Sequence, residues 1–333
     1  MRFLLNKFQA LKSKANTDAG VWKLPDGDDF YQYQLSLMTT TDYTPEQVHQ
    51  IGLSEVGRIK TEMHDILSDQ GYSDTTKTLG EIIQELNKEE RFLYQNNDEG
   101  RKEIIEGYNN ILNKINDGLD EAFDIRPKAS MEVKRVPEFK EEGSTRAYYE
   151  QPLVDGSRGG IFYANLRDVT ETVKFGMKTL AYHEGIPGHH FQVAIQGELK
   201  NVPIFRKFPL FTAYTEGWAL YAEQLAWELG FYKNDPFGNL GRRQAKMYRA
   251  VRLVVDTGIH YKKWTREEAI EYMITNSGMT TAEVVTEIER YIVMPGQACA
   301  YKIGMMKIIE LREKAKNKLG NQFKLKTFNH IVS

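Results

Sequence analysis

Apolar residues recur every three or four positions along most of the chain, which is the spacing of helices that pack on a core. The clearest helix start is Thr44, an N-cap residue followed by a first-turn proline, Pro45, and a capping-box glutamine, Gln47. The apolar face of this helix consists of Val48, Ile51, Val56, Ile59 and Met63. Further helices are predicted over residues 78–89 and 98–118, after the capping boxes Thr265/Glu268 and Thr280/Glu283, and from Pro295 to a C-cap glycine at Gly320.

The middle of the chain changes to short segments of β-type composition. The predicted strands are Met131–Val136, Arg146–Tyr149 and Gly160–Leu166, with a turn-rich loop over residues 155–160 before the last one. We therefore predict one mostly α-helical domain over residues 1–333. It comprises a helical part (1–128), a small sheet (129–166) and a second set of helices (168–320).

Composition excludes several classes of protein. The 333 residues are 41% hydrophobic, which is enough to bury a sizeable core. The 44 basic side chains nearly balance the 46 acidic ones, and the net charge of −2 argues against a nucleic-acid partner. The single cysteine, Cys299, excludes a disulfide framework and a cysteine-based zinc cluster.

The apolar runs are short. None approaches the roughly 18 residues of a membrane-spanning helix. The apolar run at Phe3 is interrupted at once by Asn6 and Lys7, so it is too short for a signal-peptide core. We therefore expect a soluble protein, cytoplasmic by default, and the sequence carries no signal for its oligomeric state.

Three of the seven histidines fall within eight residues of a helical pattern: His183, His189 and His190. Glu184 follows the first of them directly. A His-Glu pair followed by another histidine is typical of zinc hydrolases, in which imidazoles hold the metal and the glutamate polarises its water. The sequence therefore predicts a site for one zinc ion.

The spacing of these histidines departs from the usual His-Glu-x-x-His pattern, because Pro187 occupies the position of the second ligand. His190 returns to nearly the same helix face as His183, but about 10 Å further along the axis. Pro187 and Gly188 predict a bulge or kink, which would bring His189 to the ligand position. We favour His189 as the second ligand and keep His190 as the alternative.

A third ligand is expected from the next helix. Its Glu216 lies in an apolar stretch beside Trp218 and Tyr221, where a carboxylate is either a ligand or a buried, paired group. Glu223 is one heptad further on the same side and could hold a ligating histidine. The alternative for the whole cluster is a hydrogen-bonded polar core, which the combination of three histidines and two glutamates makes the weaker interpretation.

The chain resembles the C-terminal half of bacterial domain-of-unknown-function family 885, related to zinc metallopeptidases of the gluzincin type. The matching segments are residues 20–25, 39–42, 155–158, 183–192, 216–223, 252–260, 289–291, 295–298 and 301–304. The resemblance implies a helical zincin-like metallopeptidase fold, with a small β-sheet before the metal-binding helix. Family members are roughly twice as long, so we expect the chain to lack their N-terminal half.

The resemblance also implies catalytic roles. Glu184 would act as general base on the zinc-bound water and then as general acid toward the leaving amine. The candidates for stabilising the oxyanion are Tyr301, Tyr291 and His260. Arg252, Asp256 and His260 recur every four residues on one helix face, where they form either a structural ion-pair ladder or part of the site.

Substrate contacts are expected from two regions. Arg290 and Lys302 are candidate anchors for a substrate carboxylate, and Arg252 and Tyr291 are further candidate substrate contacts. The strand Gly160–Leu166 precedes the metal helix and is predicted to be an edge strand to which a peptide adds. On this strand and the loop before it, the candidate contacts are Arg158, Tyr163 and Asn165.

The sequence thus predicts a zinc metallopeptidase acting on peptides or peptide-like amides. Two alternatives stay open. A helical fold with histidine and carboxylate ligands could hold iron, although Glu-x-x-His spacing is missing at the cluster. The second alternative is an inactive scaffold or binding module derived from the peptidase fold. The retained Glu184 argues against it, because a structural zinc site needs no base.

Overall fold

The structure is a computed structural model that describes residues 2–12 and 15–333. Its strands are β1 (Met131–Arg135), β2 (Ala147–Glu150) and β3 (Gly160–Ala164). Its helices are α1 (Arg2–Lys12), α2 (Gly27–Thr39), α3 (Pro45–Asp69), α4 (Leu79–Leu86), α5 (Asp98–Asp117), α6 (Glu138–Glu141), α7 (Met177–Glu184), α8 (His189–Glu198), α9 (Thr212–Glu228), α10 (Pro236–His260), α11 (Arg266–Ser277), α12 (Thr281–Val293), α13 (Gln297–Leu319) and α14 (Leu325–Val332). Within these ranges, every helix is too short or too polar to cross a membrane.

The helix starts follow their capping signals. Thr44 accepts a hydrogen bond from the backbone N–H of Gln47, and the glutamine side chain returns one to Thr44, as a capping box requires. Thr265 and Thr280 cap α11 and α12 in the same way. The prediction of a mostly helical chain with three short strands is therefore confirmed. The helix predicted over 78–89 is shorter, because it ends at Leu86.

The sheet has the strand order β1-β3-β2. Strand β3 pairs in parallel with β1 and antiparallel with β2, so both of its sides are used. The prediction that Gly160–Leu166 forms an edge strand is therefore wrong. The sequence pattern could not show this, because the parallel partner of β3 lies about 30 residues earlier in the chain. The edge strands are β1 and β2.

Two large apolar clusters form the core. The first joins α3, α4, α10 and α11, with Ile59, Met63 and Val254 fully buried. The second joins α5, the sheet, α7, α8 and α9, with Phe162 and Trp218 fully buried. The second cluster includes both helices of the histidine motif and the helix of Glu216. The candidate site is therefore built on packed elements rather than on surface loops.

Helices α9 and α13 approach each other at two glycines. A Cβ atom on Gly304 would lie 1.8 Å from the carbonyl oxygen of Ala213. A Cβ atom on Gly217 would lie 2.5 Å from the carbonyl carbon of Gly304. Such distances exclude any side chain at either position unless the helices separate. The position of Glu216, the neighbour of Gly217, therefore depends on the absence of these side chains.

Gly304→Ala should destabilise the protein, because its methyl group forces α9 and α13 apart. We expect a loss of about 1–3 kcal/mol in the free energy of unfolding, measured by urea denaturation. The matched control is Gly57→Ala, since a Cβ atom on Gly57 in the interior of α3 meets no atom within 4 Å. That control should gain about 0.5–1 kcal/mol from helix propensity. Equal effects of the two substitutions would contradict the close-contact explanation.

Candidate metal centre

A four-residue interruption separates the two helices of the histidine motif. Helix α7 ends at Glu184 and α8 begins at His189. A Cβ atom on Gly188 would lie 2.0 Å from the carbonyl oxygen of His183, so only glycine fits there. The indole Nε1–H of Trp218 donates a 2.9 Å hydrogen bond to the carbonyl of Pro187 and fixes the turn on α9. This is the break that Pro187 and Gly188 predict.

The interruption brings two imidazoles and one carboxylate together. The His183 and His189 rings lie 4.8 Å apart and nearly perpendicular, at 85°. Their Nε2 atoms lie 3.7 and 3.4 Å from Oε2 of Glu216, and one ligand atom from each residue falls within 4.8 Å of the others. Zinc–ligand bonds of about 2 Å in tetrahedral geometry require donor atoms roughly 3.3 Å apart. The donor set and its spacing therefore fit a zinc ion.

A buried carboxylate orients the first of these imidazoles. Nδ1 of His183 donates a 2.8 Å hydrogen bond to Oε1 of Glu223, whose side chain is fully buried. Because this bond holds Nδ1, the ring is oriented with Nε2 toward Glu216. The structure thus shows the contact that the one-heptad spacing of Glu216 and Glu223 predicts.

The charges at this cluster compensate one another. Burial opposes the charged form of His183, but hydrogen bonds to Glu216 and Glu223 raise its pKa to about 9. Burial would raise the pKa of Glu216, but the charge of His189 and a hydrogen bond with His183 lower it. A metal cation at this position would therefore compete with a proton for the same donors.

His190, the alternative second ligand, points away from the cluster. Its Nε2–H donates a 3.1 Å hydrogen bond to the carbonyl of Ala129, so Nδ1 accepts a 2.9 Å bond from the Tyr149 hydroxyl. Burial lowers the pKa of His190 to about 4 and keeps the ring neutral. Both nitrogens are occupied, so His190 links α8 to the sheet. Sequence reasoning missed Tyr149, since no spacing signal connects residues 149 and 190.

Two candidate catalytic residues interact electrostatically with the cluster. Glu184 is buried at the end of α7, and its negative charge acts on His183. Burial and the negative charge of Glu216 raise the pKa of Tyr301, so its hydroxyl stays protonated. The guanidinium of Arg252 stacks on the Tyr301 ring, 4.5 Å from its centre. Tyr301 is therefore a proton-bearing group within electrostatic reach of Glu216.

His260, the third oxyanion candidate, is a core residue. Its Nδ1 accepts a 3.2 Å hydrogen bond from the backbone N–H of Val21, and its Nε2–H donates to the carbonyl of Tyr291 at 3.0 Å. The ring is fully buried. With neither nitrogen free, it has no atom to offer a substrate, so its assignment as a catalytic residue is wrong.

Arg252 and Tyr291 belong to a buried network rather than to a substrate pocket. Nε of Arg252 donates to the Tyr291 hydroxyl at 2.7 Å, and its Nη2 donates to Glu287 at 3.1 Å. The Tyr291 hydroxyl donates in turn to Glu287 at 2.6 Å. Asp256, one turn after Arg252, instead accepts a 2.6 Å bond from Tyr31. Arg252, Asp256 and His260 therefore do not form an ion-pair ladder, because each side chain has its own buried partners.

The remaining substrate candidates also have structural partners. Lys302 is buried in an ion pair with Glu55. The Asn165 side chain is buried and donates to backbone carbonyls of residues 141 and 144. Tyr163 packs on the Tyr148 ring of the neighbouring strand, Arg158 pairs with Glu150 of its own hairpin, and Arg290 pairs with Glu287 and Gln297. The structure therefore brings none of these five side chains to the cluster of His183, His189 and Glu216.

The fold and the cluster define a mostly helical protein with a candidate centre of two histidines and one glutamate. The chain belongs to the family described as bacterial protein of unknown function (DUF885), whose family model matches residues 3–332. Among functionally curated proteins, none matches the chain.

Solved structures that are similar to this chain include two bacterial proteins. One is the "putative lipoprotein" from Colwellia psychrerythraea, with 47% sequence identity, a TM-score of 0.95, and coverage of 97% of this chain and 55% of its own. The other is a "putative lipoprotein of unknown function" from Shewanella oneidensis, with 21% identity, a TM-score of 0.80, and coverage of 98% and 60%. The second shows the fold alone. The chain thus spans little more than half the length of these relatives.

The network around Arg252 should make the protein acid-sensitive through Glu287. Burial alone would raise the pKa of Glu287, but the charge of Arg252 and hydrogen bonds from Arg290 and Tyr291 lower it from 4.5 to about 2. A lowered folded-state pKa stabilises the protein above pH 4.5, and this stabilisation is lost as the pH falls toward 2. The size of the effect is on the order of 3 kcal/mol.

Glu287→Gln should therefore lower the unfolding free energy at neutral pH and flatten its dependence on pH in the acid range, as measured by chemical denaturation at several pH values. The matched control is Glu289→Gln on the same helix, since Glu289 is largely exposed and pairs with Arg266 at the surface. A Glu287→Gln variant as acid-sensitive as the wild type would contradict this account.

Proposed function

We propose that the protein is a zinc-dependent hydrolase, a metallopeptidase that cleaves peptides or peptide-like amides. The observation that carries the proposal is the convergence of His183, His189 and Glu216 within 4.8 Å, with Glu184 next to the first ligand. A structural metal site would need the three ligands but no additional buried carboxylate beside them. The combination of ligands and adjacent base supports hydrolysis rather than a purely structural role.

The proposed ligand set is Nε2 of His183, Nε2 of His189 and a carboxylate oxygen of Glu216. A zinc ion held by these three side chains would supply Lewis acidity toward water and the substrate carbonyl. Glu223 holds His183 through Nδ1 and leaves Nε2 free for the metal. Partners of this kind raise metal affinity because they fix the ring orientation before binding.

Glu184 is the proposed general base. Its carboxylate takes one proton from the attacking water as the water oxygen bonds to the carbonyl carbon. The same carboxyl group then delivers that proton to the amide nitrogen as the C–N bond breaks, which leaves an amine and a carboxylic acid as products. The Tyr301 hydroxyl, which burial and Glu216 keep protonated, is the proposed hydrogen-bond donor to the carbonyl oxygen as its charge develops.

Strand β2 is the proposed docking strand for a peptide substrate. It is an edge strand of the sheet, whereas β3 is central. The hydrogen bond from Tyr149 to His190 connects β2 directly to α8, the helix that begins with His189. A peptide that pairs with the backbone of β2 would be held through main-chain hydrogen bonds, largely independent of its sequence.

Metal content distinguishes the proposed ligands from their neighbour. We expect about one zinc per wild-type chain by mass spectrometry, and its loss in His183→Ala, His189→Ala and Glu216→Ala. His190→Ala is the matched control, because His190 adjoins a ligand but bonds to Tyr149 and Ala129. That variant should keep its zinc. A metal-free wild type that does not take up zinc on titration would refute the proposal.

Glu184→Gln separates catalysis from metal binding. The substitution preserves the size of the side chain but removes its basicity, so zinc should be retained while cleavage falls by about 10²–10⁴-fold. The measurement is the hydrolysis of a quenched-fluorescent peptide library by the zinc-loaded protein. Cleavage by Glu184→Gln at the wild-type rate would contradict the assigned role. A zinc-loaded wild type that cleaves no peptide would instead favour a binding module that kept the metal site.

A further inference from the structure

The segment of residues 199–211 joins α8 to α9 and exposes an unusual number of apolar side chains. Leu199, Ile204, Phe205, Leu210 and Phe211 are each 42–63% exposed. These five large apolar residues fall within 13 positions, whereas most soluble proteins expose such residues singly and scattered over the surface. Each represents an unfavourable contact with water in the isolated chain.

The same segment is strongly basic. It contains Lys200, Arg206 and Lys207 and no acidic residue, although the chain as a whole carries a net charge of −2. Among the residues that the structure describes, none forms an ion pair with these three side chains within 4.0 Å. Their charge is therefore available to an external partner.

The exposure does not result from a frayed backbone. The side-chain amide of Gln196 on α8 donates 2.9 Å hydrogen bonds to the carbonyls of Arg206 and Phe208. Between Ile204 and Lys207 the backbone forms a 3₁₀ turn. The segment is thus tied to α8 through its main chain, while its apolar side chains point outward.

We propose that the 199–211 segment docks on an anionic lipid surface. Phe205, Phe211 and their aliphatic neighbours would enter the boundary between headgroups and acyl chains, and the basic side chains would bind lipid phosphates. A protein interface, whose centre is enriched in aromatic residues and arginine but depleted in lysine, is the alternative occupant that the test has to exclude. Charge complementarity favours the lipid surface, because Arg206 and Lys207 lie between Phe205 and Phe208 and pair with no acidic side chain of the described residues.

Docking of this kind would place the candidate metal centre near the membrane surface. The segment follows α8, which begins with His189, and precedes α9, which carries Glu216. Substrates that are themselves held at the membrane would then be concentrated at the site. The proposal concerns binding only and does not rest on the proposed hydrolysis.

The test is co-sedimentation of the full chain with vesicles of phosphatidylcholine alone or mixed with phosphatidylglycerol. We expect binding to the mixed vesicles to be roughly a hundredfold tighter, since each basic residue near the surface contributes about a factor of five. High salt should weaken it. The Phe205→Ser/Phe211→Ser double variant should bind at least about tenfold more weakly. Arg206→Ser/Lys207→Ser should lose the preference for phosphatidylglycerol.

Two further variants provide controls, and circular dichroism confirms that all of them fold. Phe139→Ser removes an apolar side chain that is 85% exposed in α6 and should not change binding. Leu4→Ser/Phe8→Ser tests α1, which is also exposed, apolar and basic. The proposal is overturned if the wild type binds neither vesicle, binds both equally, or loses binding only through α1. It is also overturned if the segment instead mediates a dimer in light scattering.

Discussion

The candidate centre depends on the interruption of the helix at residues 185–188. In a continuous helix, His183 and His189 would lie about 9 Å apart along the axis and about 120° apart around it, so they could not share an ion. The turn brings their rings to 4.8 Å. Gly188 allows the close backbone contact, and Trp218 fixes the turn through the Pro187 carbonyl. The backbone conformation of this turn therefore sets the relative positions of His183 and His189.

Three side chains of helix α9 either belong to this centre or hold its residues in place. Glu216 is a candidate ligand, Trp218 holds the turn between α7 and α8, and Glu223 orients His183. All three move together if the helix shifts. The position of α9 is set by its glycine contact with α13, which carries Tyr301. The packing of one helix pair thus couples the candidate ligands to the proposed oxyanion donor.

The sequence predicts what depends on local spacing and fails where the answer depends on distant partners. Capping boxes located the starts of α3, α11 and α12, and the spacing of Glu216 and Glu223 predicted the contact with His183. The edge-strand prediction failed because β1, which lies outside the β2–β3 hairpin, pairs with the other side of β3. His260 failed for a related reason: helical periodicity shows which residues share a face, but not what packs against that face.

Arg252 shows how a core residue can support a site that it does not enter. Its guanidinium is buried among the rings of Tyr248, Tyr291 and Tyr301, and the carboxylate of Glu287 pairs with it. A buried cation is tolerated only when such a partner compensates it. Because the same guanidinium supports the Tyr301 ring, the ion pair on α10 and α12 also holds a side chain of α13 whose pKa responds to the charge of Glu216. The ion pair that compensates the buried charge of Arg252 therefore also constrains the geometry of the candidate centre.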